Sequence, residues 1–115
     1  METKEIGMAT IKYDKIVRDR IPEIIESDSK QCVTKQVSGR EKLQYLYKKL
    51  VEETNELSES SSIEELADVQ EVVYAIANEL GVSLNEIECT RRQKAEERGG
   101  FEKGIVLLEV NNPIV

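Results

Sequence analysis

Between Lys42 and Leu80 apolar residues recur every three or four positions, in two runs separated by the polar stretch Ser58-Glu-Ser-Ser-Ser62. The first run, Leu43, Leu46, Leu50 and Leu57, makes a stripe at helical spacing. Ser38-Gly-Arg-Glu41 has the pattern of a capping box and opens that helix, which runs to about Ser58. Ser61-Ser62-Ile63-Glu64 caps a second helix with Leu66, Val69, Val73, Ile76 and Leu80 on its inner face and Gly81 as its C′ residue. A third begins at the capping box Ser83–Glu86 and stops near Gly99-Gly100. Upstream, Asp19 is placed to N-cap a short helix from about Arg20 to Ser27, with Pro22 in its first turn. Two β-branched stretches, Cys32–Val37 and the apolar part of Phe101–Val110, predict short strands or extended segments lying side by side.

Some acids break this pattern. Glu53 falls three residues after Leu50 and four before Leu57, inside the stripe, and Glu56 follows on the same face. Asp68 lies four before Val72 and eight before Ile76, extending a buried row, with Glu65 one turn earlier. If the two helices fold back at Ser60-Ser61, residues equidistant from the turn are level. Glu56 then meets Glu65 and Glu53 meets Asp68. Four ionised carboxylates sharing a partly buried patch require protonation or a compensating cation. An all-oxygen donor set suits Mg2+, with Mn2+ as a substitute, better than zinc or iron. Magnesium there would polarise phosphoryl oxygens and lower the pKa of water. The plain reading is that Glu-x-x-Glu and Glu-x-x-Asp spacings mark solvated helix faces.

Composition narrows the field. A chain of 115 residues has room for one modest core, read as a single domain over 12–110 with a leader over 1–11, a tail over 111–115 and Met8 as an alternative start. Aromatic side chains are scarce and the net charge is −7, which disfavours nucleic acid and anionic membrane as partners. Cys32 and Cys89 lie far apart and no histidine is present, which argues against a zinc site, a disulfide framework and Cys–His catalysis. With no apolar run long enough to span a bilayer, the expectation is a cytoplasmic protein.

"EETNE" (Glu52–Glu56) followed by "EELAD" (Glu64–Asp68) resembles the paired acidic signature of the MazG-like all-α nucleoside triphosphate pyrophosphohydrolases. "YDKIVRDRIPEII" (Tyr13–Ile25) and "KAEERGGFEKGIVLLEV" (Lys94–Val110) look like the ends of its phosphoribosyl-ATP pyrophosphohydrolase-like branch. The resemblance implies an all-α, antiparallel bundle of about four helices with short extended terminal segments, assembled as a homodimer or dimer of dimers. It implies Mg2+-dependent cleavage between the α- and β-phosphates of a nucleotide, giving a monophosphate and pyrophosphate. It carries the ligand and catalytic roles to Glu53, Glu56, Glu65 and Asp68, and a supporting role to Glu52. The flanks differ from those of the histidine-biosynthesis enzyme. A house-cleaning substrate is therefore expected, with phosphoribosyl-ATP as the alternative and a non-catalytic helical interaction module as the rival of another class.

Arg91, Lys94 and Arg98 form a row on the last helix, placed either to hold substrate phosphates or to complement the helix dipole and pair with Glu96 or Glu97. Lys15 and Arg18 offer the same choice between substrate and the neighbouring Asp14 and Asp19. Tyr45, Tyr47 and Tyr74 suit a core edge or an interface better than base stacking. Val72, Val73, Ile76 and Ala77 make an apolar face wider than one neighbour needs, which predicts homodimerisation.

Overall fold

A computed structural model describes residues 9–114, so the leader as far as residue 8, with the alternative start Met8, and Val115 lie outside the described residues. The described chain is all-helical, with α1 (Ile21–Ser27), α2 (Gly39–Ser60), α3 (Ile63–Glu79) and α4 (Leu84–Arg98). It falls into two compact units, one ending at Leu80 and the other starting at Gly81. No described helix is long and apolar enough to cross a membrane.

The first unit is organised by α2 and α3, which pack against each other. Ser61 adopts a left-handed conformation (φ 51°) and its N–H caps Leu57 O at 2.8 Å, so the chain reverses within two residues. Ser62 then caps α3 by accepting the Glu65 N–H at 3.2 Å. At the other end of the pair, Glu79 accepts the Gly39 N–H at 3.2 Å and lies 3.2 Å from Lys42 Nζ. The two helices are thus pinned at both ends and run antiparallel. Buried apolar side chains are few among the described residues: Leu46, Val72 and Ala77.

Several expectations change here. The Ser38–Glu41 capping box does not form: the Ser38 side chain accepts no cap bond, Glu41 lies 3.8 Å from Lys35, and Glu79 takes the neighbouring Gly39 N–H instead. A carboxylate from α3 replaces a local one at a positive helix terminus. Asp19 does not cap α1; Arg20 holds the N-cap position, and the Ile21 N–H is taken by Arg18 O at 3.0 Å. The inner face of α3 is rotated by one position. Val72 is buried, whereas Leu66, Val73 and Leu80 are 57%, 36% and 54% exposed. Neither β-branched stretch forms a strand. Val33 and Leu108 are 102% and 89% exposed, and extended chain without a partner has no ladder to stabilise it.

In the second unit the Ser83–Glu86 capping box forms in full, with bonds of 2.7 and 3.1 Å. Gly99 ends α4 at φ 84°, a conformation that costs glycine little. No residue of α4 is buried.

Candidate metal centre

The helical register of α2 places Glu53 in line with Leu46, and the pairing with α3 closes over it. Glu53 is only 6% exposed, the one buried charged residue among those described. From α3, Glu65 and Asp68 come level with it. One carboxylate oxygen from each of Glu53, Glu65 and Asp68 lies within 4.8 Å of the others. Glu56 stands one turn further along α2, exposed and near Glu53.

Charge crowding is visible in proton affinity. The charge of Glu53, then some loss of solvation, then the charges of Glu65 and Glu52, push the Glu56 carboxyl above its ordinary range. Glu65 is pushed up first by desolvation, then by Asp68 and Glu53.

Cations offset part of this charge, and they hold the carboxylates unevenly. Lys49 Nζ lies 3.2 Å from Glu53 Oε1 and 3.6 Å from Glu52 Oε2, its side chain 17% exposed. Arg18 Nη2 donates to Asp68 Oδ1 at 2.7 Å. Lys15 Nζ donates to Glu52 Oε1 at 3.0 Å, which holds the Glu52 carboxyl below its ordinary range and raises the lysine. Even so, Glu53 Oε2 and Glu65 Oε2 are buried with no hydrogen-bond partner. A buried carboxylate oxygen with nothing donating to it is costly unless a cation completes it. Two such oxygens beside Asp68, all hard donors, fit a divalent ion of the magnesium type.

Sequence reasoning overlooked Lys49, although its i, i+4 spacing to Glu53 was available as a signal. It gave Glu79 no role, and it offered Asp14 only as a partner for Lys15 or Arg18, whereas Asp14 Oδ1 accepts the Tyr45 hydroxyl at 2.6 Å. Lys15 and Arg18 reach neither Asp14 nor Asp19; they reach Glu52 and Asp68. On α4, Arg91 is engaged by Glu88, with bonds of 2.9 and 2.6 Å, rather than by Glu96 or Glu97, and Lys94 and Arg98 follow on the same helix. Cys32 and Cys89 are free thiols.

Compared with known protein families, curated proteins and solved structures, the chain matches none. The likeness to the MazG-like enzymes stands on the quoted motifs alone.

Proposed function

We propose that this chain is a Mg2+-dependent nucleotide pyrophosphohydrolase that converts a nucleoside triphosphate to the monophosphate and pyrophosphate in a house-cleaning role. The observation that carries the reading is Glu53, a carboxylate buried in an apolar stripe, with Oε2 unpartnered beside Glu65 and Asp68. Glu53, Glu65 and Asp68 would hold the ion, with Glu56 at their edge. Bound there, Mg2+ supplies Lewis-acid polarisation of phosphoryl oxygens and charge neutralisation. Lys49 and Arg18 fix one oxygen each of Glu53 and Asp68 and leave the rest of those carboxylates to face the patch. Lys15 and Arg18 bring positive charge to its edge, where a polyphosphate tail needs it. With no histidine in the chain, a carboxylate of the patch is the group available to take a proton from water.

Assembly belongs to the same reading. Ile63, Leu66 and Leu80 leave an exposed apolar row on α3, which a second copy in a homodimer would cover. Light scattering on the full chain should give twice the monomer mass; a monomer at micromolar concentration refutes the dimer.

The decisive measurement is pyrophosphate release across a panel of nucleoside triphosphates, phosphoribosyl-ATP included, with Mg2+ present. A second reading is favoured by the three cations already on the acids: a non-catalytic helical module whose charges are satisfied internally. Melting with and without Mg2+ or Mn2+ separates the two. An ion bound by the folded state alone adds about 2.7 kcal/mol at a hundred times its Kd, whereas the internally satisfied module shows no shift.

A further inference from the structure

The cations on the acid patch differ in how firmly they are held. Lys49 belongs to α2 itself and is wedged between Glu52 and Glu53 with its side chain 17% exposed. Arg18 comes from a non-helical segment fifty residues before Asp68 in sequence, and its side chain is 55% exposed. Exposed ion pairs are weak tethers, so the second contact is the replaceable one. Yet the backbone carrying Arg18 is anchored nearby: Asp14 is held at φ 47°, and its carboxylate receives the Tyr45 hydroxyl at 2.6 Å. The guanidinium can therefore change partner by side-chain rotation while the segment stays docked on α2.

The patch that holds Arg18 remains short of positive charge, because Glu53 is 6% exposed and its Oε2 has no partner, as has Glu65 Oε2. We propose that Arg18, with Lys15 beside it, forms an ion-gated anion site. In the metal-free protein Arg18 is the counter-ion of Asp68; when a divalent cation neutralises the carboxylates, the guanidinium is freed for a phosphate group. This rests on the metal reading above and adds an order of events to it. A dication next to Asp68 weakens the hold of its carboxylate on Arg18 and repels the guanidinium. The planar fork of arginine then matches two phosphate oxygens, which an ammonium cannot do. Linkage makes the effect reciprocal: cation and phosphate strengthen each other's binding, while cation and the Arg18–Asp68 pair oppose each other.

The test uses the full chain with Mn2+, Mg2+ and inorganic pyrophosphate as probes. Mn2+ affinity by electron paramagnetic resonance should rise at least about fivefold in Arg18→Gln, because a competitor is gone, and stay near the native value in Arg18→Lys. Pyrophosphate should bind the native chain only with Mg2+ present. Both variants should bind it at least about tenfold more weakly, Arg18→Gln the more so. In the native protein, Mg2+ should shift the Arg18 side-chain N–H resonance, a readout that needs no variant to fold. If the native chain binds Mn2+ but Arg18→Gln binds it no tighter and the Arg18 resonance does not move, the gate is refuted and the metal reading stands. If the native chain binds no Mn2+, both fall.

Discussion

Glu53 on α2 and Glu88 on α4 are both glutamates with a cation three or four positions away, and their surroundings differ. Glu88 is engaged on its own helix by Arg91 and Arg92, at 2.6 and 3.1 Å, and its carboxyl is held at about 2. Around Glu53 three further acids gather, and the carboxyls of Glu56 and Glu65 are pushed upward instead. Lys49 meets only one oxygen of Glu53. What separates the two places is satisfaction, not charge density. On α4 the sequence supplies two arginines in local reach of Glu88; between α2 and α3 the fold brings in more acid than the nearby cations can answer. An unanswered carboxylate is a reason to look for a ligand.

Removing the unanswered acids should have the largest effect. Glu53→Ala or Asp68→Ala should lower Mg2+-dependent pyrophosphate release by roughly a thousandfold, several kcal/mol of lost charge stabilisation, with the helical circular dichroism retained. Full turnover in either variant ends the catalytic reading. Next comes the packing that holds Glu53 in place. Leu46 is 5% exposed and lies on the same stripe, so Leu46→Ala should cost about 2–5 kcal/mol in denaturant unfolding. A change well below that range would mean that the α2–α3 contact is not what buries Glu53.

Much of this was legible before any coordinates. The starts of α3 and α4 follow from Ser62 and Ser83, whose side chains accept backbone N–H groups, the end of α4 from Gly99, and Glu53 advertised its burial by interrupting a leucine stripe. What could not be read depends on contacts distant in sequence. α3 carries two apolar rows, one through Val72 and one through Leu66 and Val73, and periodicity alone cannot say which meets α2. Glu79 caps α2 across forty residues, and Arg18 reaches Asp68 across fifty. The β-branched residues after Gly104 have strand propensity, but propensity needs a neighbouring strand that the described chain does not provide.

Acidity tests the crowding more gently. Glu56 and Glu65 bind protons more readily folded than unfolded, so their repulsion weakens stability above their raised pKa values and is relieved as pH falls from 7 toward 4.5. Glu52 and Glu88 work the other way, since their carboxyls lie below 4.5 when folded, Glu88 at about 2. Their contribution is complete above 4.5 and is lost as pH falls through the folded values. The metal-free melting temperature should therefore pass through a maximum on the acid side of neutrality, and Mg2+ should flatten the rise between pH 7 and that maximum. A steady fall from pH 7 downward would show that the acids are not crowded.

The smallest effect is also the most direct contrast, because it predicts opposite signs for one chemical change. At pH 7 without metal, Glu65→Gln removes a charge whose neutral form the site prefers, and should raise the melting temperature slightly. Glu88→Gln removes a charge that two arginines hold, and should lower it slightly. Half a molar salt should shrink the Glu88 effect most, because that ion network is solvent-exposed and screened at a Debye length of a few ångströms. The Glu65 effect, set first by desolvation, should survive it. Saturating Mg2+ should then reverse the Glu65→Gln sign, since a carboxylate oxygen facing the ion is worth more than the repulsion it brings, and leave Glu88→Gln unchanged. If both variants move the same way in the absence of metal, Glu65 is an ordinary solvated surface acid and the distinction between the two places collapses.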